Sequence, residues 1–207
     1  SPTQDTQTCI NWYPEVDPTK KDDNPFTPDG RGVIALYPCP GTATRAELKV
    51  GEVRGLGVIT GAQMMIAVSN DTLYMLDKSF NKVAVGTLNT SIGQVSITNN
   101  GVAAYITDGP YRYSYTWGTG TFTVHTDGPF TGGQTCGIVD NFIFYNRPNS
   151  NQFGCTNVGD VTSNPLNLGS KIGAPDFIVA MIADHRQILL LGETESERWI
   201  NVGTFPF

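Results

Sequence analysis

The sequence predicts an all-β fold, a β-propeller-like array of short antiparallel blades of about 40 residues each. Three observations lead there. Short alternating segments bounded by Gly, Asn, Asp and Pro recur along the 207 residues, and long helical periodicity is nearly absent. Tyr111, Tyr113, Tyr115 and Trp117 alternate with Arg112, Ser114 and Thr116, then Gly118-Thr119-Gly120 leads into Phe122 and Val124, which reads as a hairpin with a glycine turn. Finally, equivalent strands recur at a near-constant spacing: Leu73, Tyr113, Phe153 and Trp199 stand 40, 40 and 46 residues apart.

In chain order, residues 1–31 form a first region rich in Pro, Asp, Lys and Thr, read as an extended arm with a polar loop. Within it Ile10, Trp12, Tyr13 and Val16 are apolar enough to dock. Blades occupy 32–207. Blade 1 takes strands at 52–58, 63–69, 72–76 and 82–86; blade 2 at 94–98, 102–107, 111–117 and 121–125. Blade 3 takes 135–139, 141–146 and 152–156, with a weak fourth strand in 161–168 that Asn164 and Pro165 break. Blade 4 has 177–183, 187–191 and 197–202. Asn70-Asp71, Asn100-Gly101, Asp108-Gly109 and Asp140-Asn141 supply turns between neighbouring strands. Three blades are complete and the fourth is not, whereas closed propellers have about four to eight. Either residues 33–37 complete a small ring, or this is the N-terminal part of a larger propeller, the preferred expectation. A β-sandwich also uses many short strands, but the near-constant period argues against it.

Composition excludes several functions. Lys and Arg number 13 against 19 Asp and Glu, a formal net charge of −6, which rules out a generally basic nucleic-acid binder. The longest apolar runs, 177–183 and 188–191, are too short to span a bilayer. None of the four cysteines falls in a C-x-x-C pair, so zinc is not expected. They read as free buried thiols, with a Cys9 to Cys39 disulfide as the alternative.

Catalytic signals are weak. His125 alternates with Phe122 and Val124 and is expected to face solvent; His185 falls in a turn. No G-x-S-x-G elbow is present. Glu193, Glu195 and Glu197 are the most enzyme-like group, since paired carboxylates run glycoside hydrolysis, but Gly192 to Ser196 reads as a solvated hairpin tip. Aspartates near loops, among them Asp71, Asp77, Asp108, Asp127 and Asp140, read as turn residues bonding their own backbone rather than calcium ligands. No cofactor or metal is expected.

Read as strings, several segments together resemble one family, the packaged-DNA stabilisation or tail-hub proteins of short-tailed bacteriophages. Gln7 to Val16, with Asn11, Tyr13, Pro14 and Glu15, looks like the arm motif. Ala35 to Gly41, ending Pro40-Gly41, looks like the next element, and Val53-Arg54-Gly55 like the opening of the first blade. Asp108-Gly109 follows in the family order, then Pro175-Asp176 and a last stretch with Gly192, Glu193, Glu197, Trp199 and Gly203. The resemblance spans Gln7 to Phe207 and rests on the ordered set. It implies a non-enzymatic virion protein, assembled in the host cytoplasm as a homo-oligomeric ring, a hexamer, below the portal and its adaptor. There it would contact other tail, adaptor or portal proteins, extend the DNA channel and help retain packaged DNA, without sequence-specific nucleic-acid binding. The alternative from another class is a carbohydrate- or receptor-binding propeller. If Trp199 is core, Trp199→Ala should cost roughly 3–5 kcal/mol.

Overall fold

A computed structural model describes residues 12–16, 34–38, 43–59, 61–174 and 176–202, with side chains from residue 43 onward. The chain forms two compact units, 1–45 and 46–207. In the first, strands β1 (Trp12–Val16) and β2 (Ile34–Pro38) pair antiparallel, Pro14 opposite Leu36. The expected arm, 1–31, thus supplies one strand of a two-stranded ribbon; its partner, 34–38, lies in the stretch read as the start of the blades and pairs with 12–16 instead. Asn11, Pro40 and Gly41 lie outside the described residues, as do Cys9 and Cys39.

The second unit is a row of four antiparallel sheets in which each strand pairs with its sequence neighbour. Blade 1 holds β3 (Val53–Ile59), β4 (Met64–Ser69), β5 (Thr72–Leu76) and β6 (Lys82–Thr87). Blade 2 holds β7 (Ser96–Asn99), β8 (Ala103–Thr107), β9 (Arg112–Thr116) and β10 (Thr121–His125). Blade 3 holds β11 (Cys136–Val139), β12 (Phe142–Asn146), β13 (Gln152–Cys155) and β14 (Leu168–Ser170). Blade 4 holds β15 (Ile178–Asp184), β16 (Gln187–Gly192) and β17 (Ser196–Ile200). The first strands, β3, β7, β11 and β15, stand next to one another along the row. Among the described residues there is no helix, and none long and apolar enough to cross a membrane. The all-β, propeller-like prediction holds.

Turn chemistry explains the tight corners. Asp140 and Asn141 have φ of 48° and 67°, and His185 and Arg186 have 40° and 64°, the paired left-handed residues of two-residue hairpin loops whose twist matches that of the strands. The 177–191 segment is therefore a hairpin despite its partly helical spacing. One strand is displaced: β14 begins at Leu168, beyond the break at Asn164-Pro165. Residues 156–167 instead form a loop in which Asn164 Oδ1 accepts the Leu166 amide at 2.9 Å.

Apolar side chains fill the three spaces between blades, because a blade in the middle of the row must bury both of its faces. Leu73 and Met75 from blade 1, with Leu88 and Val95 from the connection between the blades, meet Ile106, Tyr113 and Tyr115 from blade 2. Tyr105 meets Cys136, Ile143 and Tyr145 across the next joint. Phe144, Phe153 and Cys155 meet Met181, Ile188 and Leu190 across the third. Of the residues aligned by spacing, Leu73, Tyr113 and Phe153 are each the second residue of a third strand, whereas Trp199 is the fourth residue of β17, and the four alternate in face. Leu73 and Tyr113 meet across the first joint, and Phe153 and Trp199 across the third, with ring centroids 5.2 Å apart.

Candidate functional site

Strand direction alternates within each blade, so the connections from second to third strand and from one blade to the next emerge at the same edge of the row. There the structure gathers most polar chemistry, one buried cation at each joint.

At the first joint Arg54 is 5% exposed on β3. Its Nε donates to the Gly93 carbonyl at 2.7 Å, Nη1 to those of Asn70 and Thr90 at 2.9 and 2.7 Å, and Nη2 to Ile92 O at 2.8 Å and Thr90 Oγ1 at 2.7 Å. A guanidinium has five N–H donors, and Arg54 makes five bonds, wrapping the 88–95 connection around itself. Thr90 Oγ1 donates onward to Asp108 Oδ2 at 2.5 Å, which also accepts from the Tyr113 hydroxyl at 2.9 Å. Asp108 Oδ1 closes its turn by accepting the Tyr111 amide. Gly55 follows from close packing: a Cβ there would stand 2.8 Å from the Val95 carbonyl oxygen. Gly109 bridges to Gly133 on the next connection.

At the middle joint Arg112 is fully buried. It donates to the Tyr105 hydroxyl at 2.7 Å and to the carbonyls of Asp127 and Thr131, and its guanidinium lies 4.2 Å from the centre of the Tyr145 ring. Beside it His125 is 4% exposed, with Nε2 2.9 Å from Ser114 Oγ and Nδ1 3.1 Å from Asp127 Oδ1. The expectation of a solvent-facing His125 is corrected. Its face does lie opposite Phe122, but in an inner blade that face is the joint with blade 3. Burial lowers the His125 pKa, against the pull of Asp127 and with help from Arg112. Burial likewise raises the Tyr105 hydroxyl well above its ordinary range.

At the third joint Lys171, 1% exposed, pairs with Asp176 Oδ1 and donates to the Glu195 carbonyl at 3.2 Å. Asp176 Oδ2 accepts the Thr194 amide and hydroxyl at 2.7 and 2.9 Å and the Glu195 amide at 3.1 Å, so one carboxylate caps the β16–β17 turn. Gly192 sits where a Cβ would meet Lys171 Nζ at 2.8 Å and Asp176 Oδ2 at 2.6 Å. Glu193 and Glu195 are exposed at the hairpin tip, as expected. Glu197 turns back: Oε1 accepts the Gly173 amide and Oε2 the Trp199 indole N–H at 3.0 Å. Burial raises its pKa, but the bonds from Trp199, Gly173 and the Ile172 backbone outweigh this and hold the carboxyl below its usual range.

Arg54, Gly55 and Asp108 are thus gathered at the first joint, and Asp176, Gly192, Glu197 and Trp199 at the third. Tyr13, Pro14 and Glu15 lie on β1 in the other unit, and Pro175 and Gly203 lie outside the described residues. Sequence reading did not single out Lys171, Asp127 or the Arg112–His125 pair as site residues. A basic residue within a few positions of a strand end, at all three joints, was the available signal. Ser114, His125 and Asp127 have the order of a nucleophile, base and orienting acid. Ser114 is only 2% exposed and packed inside the joint, so this arrangement can hold blades together but presents no oxygen to a substrate.

No family model matches the chain, and no curated protein matches it. Solved structures do match. The computationally designed Ika4 protein has a TM-score of 0.54 at 9% identity, over 77% of this chain and 99% of that one. The C-terminal WD40 domain of Sif2 has 0.53 at 13%, over 81% of this chain. Virginiamycin B lyase from Staphylococcus aureus has 0.51 at 14%, over 80%. This chain spans 48% and 54% of the latter two chains. At such identities the likeness concerns the fold, a β-propeller-like array.

Proposed function

We propose that this chain is a structural protein of a short-tailed phage tail. It acts as a hub or nozzle below the portal and adaptor that extends the DNA channel, helps retain the packaged genome and catalyses no reaction. The observation that carries the reading is where the tail-hub resemblance falls. Arg54, Asp108, Asp176 and Glu197 bond connections to blades, and Gly192 leaves room for Lys171 and Asp176, so the residues that carry the resemblance do architectural work. The net charge of −6 suits a channel component, because DNA slides past an acidic wall without the counterion release that a basic one would provoke. The test is a phage lacking this protein. Particles are expected to end at the adaptor and leak DNA, and purified protein to bind a portal–adaptor complex as a six-copy ring; full particles with normal DNA content would contradict the reading.

The second reading is a carbohydrate- or receptor-binding propeller. It is favoured by an open depression of about 250 Å³ at the opposite edge, lined by Phe142, Val158, Asn157, Asn164 and Asn167, an aromatic ring among amides. Binding in a broad glycan panel that is lost in Phe142→Ala would favour it over the tail reading.

A further inference from the structure

The three joints differ in what fills them. Among the described residues the apolar cluster at the first joint holds eleven buried side chains and that at the third holds eight, whereas the middle joint has four, Tyr105, Cys136, Ile143 and Tyr145. The reason is the face that blade 2 turns toward blade 3. Thr107, Arg112 and His125 stand directly opposite one another on β8, β9 and β10, with Tyr105 and Ser114 in the next row, so polar side chains occupy positions that aliphatic ones take at the other joints. Parting this joint therefore exposes the least apolar area.

The same face carries a charge that can change. A carboxylate only accepts, so His125 Nδ1 donates to Asp127 Oδ1 and Nε2 accepts the Ser114 hydroxyl. A second proton makes Nε2 a donor as well, and Ser114 must then turn its own hydrogen away inside the joint. That proton also sets a second cation directly across from the fully buried Arg112. The groups around the imidazole are Arg112 and Ser114 on β9, Tyr105 on β8, Asp127 on the connection and Asp160 on the 156–167 loop, with Tyr145 of β12 behind Tyr105 and Arg112. Asp127 Oδ1 lies 3.1 Å from His125 Nδ1 and 3.8 Å from Arg112 Nη2, while Oδ2 accepts the Ser163 amide from that loop. Asp160 is exposed and bonded to Val161 and Thr162. One carboxylate thus ties blade 2 to blade 3, and acid leaves it to balance two buried cations.

We propose that the middle joint is an acid-operated hinge: when His125 takes up a proton, blades 2 and 3 part while the first and third joints stay closed. Neither of those joints contains a histidine; Arg54 is held by carbonyls and a hydroxyl, and Lys171 by Asp176. Burial makes the imidazole harder to protonate in the closed joint than in water, so acid favours the open form, in which the ring regains its ordinary pKa of about 6.5. The inference stands apart from the tail reading.

Two free thiols report on the joints separately: Cys136 is 9% exposed at the middle one and Cys155 4% exposed at the third. Labelling of wild type with dithiodipyridine, read by peptide mass spectrometry, compares them between about pH 7.5 and 5.5, either side of the ordinary histidine pKa. The rate at Cys136 divided by that at Cys155 is expected to be level above about pH 6.5 and to rise roughly tenfold by about pH 5.5, as uptake of one proton on opening requires. In His125→Gln, checked for folding by circular dichroism, the ratio should stay level. A level ratio in wild type, as a closed joint or unfolding of the whole chain would give, overturns the proposal, and so does a rise that persists in His125→Gln. If that variant does not fold, the slope of the wild-type profile decides, because a rise steeper than one proton would assign the opening to carboxylates and overturn it as well.

Discussion

The first and third joints each bury one cation, and they neutralise it differently. Arg54 spends its donors on four backbone carbonyls and one hydroxyl, with the Asp108 carboxylate reached only through Thr90. Lys171 depends on direct contact with Asp176, supplemented by one carbonyl. The difference follows from the side chains: a planar fork can be satisfied by a connection folded around it, whereas an ammonium acts as a point charge seeking an anion. It teaches which residue is indispensable. At the first joint it is the cation, and at the third it is the carboxylate as well.

Substitutions can break this contrast, beginning with the largest effect. Arg54→Met should cost roughly 3–5 kcal/mol in urea unfolding, because it leaves four carbonyls facing a joint without donors. Arg54→Lys should recover less than half of that, with three donors in place of five. Asp176→Asn should cost about 3 kcal/mol by stranding the Lys171 charge, and Lys171→Met with Asp176→Asn should be milder than Asp176→Asn alone. Trp199 is only half-buried, so Trp199→Ala should cost about 2 kcal/mol, below the value for a core tryptophan. Asp108→Asn should cost only about 1 kcal/mol, since the bonds of Arg54 survive and both hydroxyls can turn to accept. Equal losses for Asp108→Asn and Asp176→Asn would erase the contrast.

The middle joint sharpens it through pH. His125 has a folded pKa below its unfolded value of about 6.5, so below that pH the unfolded chain takes up a proton that the folded one refuses. Stability should be level near neutrality, fall as pH drops through about 6.5, and level off again below the folded pKa. His185, fully exposed beside Asp184, is shifted upward and acts in the opposite sense. Urea midpoints of wild type and His125→Gln at about pH 7.5 and 5.5 should therefore show a smaller acid loss in the variant.

Strand content was legible because alternation and turn residues are local. β5 and β10 fall where the pattern puts them, and the other blade strands except β14 lie within a few residues. What periodicity could not convey was the partner of each face. His125 and Ser114 alternate away from Phe122 as if toward solvent, yet a third blade lies there. β14 was blurred because Asn164 and Pro165 interrupt the segment in which it was sought. Arg54 and Asp176 were picked out by their strings, but their bonds run to Thr90, Ile92, Gly93 and Thr194, partners 18 to 39 residues away that no local pattern ties to them.

The central claim is that these residues clasp the connections to the blades as part of one architecture. Native-state hydrogen exchange of the 88–95 connection, in wild type and Arg54→Lys, tests it most directly. The amides of Leu88 and Val95, which bond to Asp71 and Arg54 carbonyls, should exchange as slowly as those of β4 and β8 in wild type and markedly faster in the variant. Rapid exchange there in both proteins, with β4 and β8 unchanged, would contradict the account.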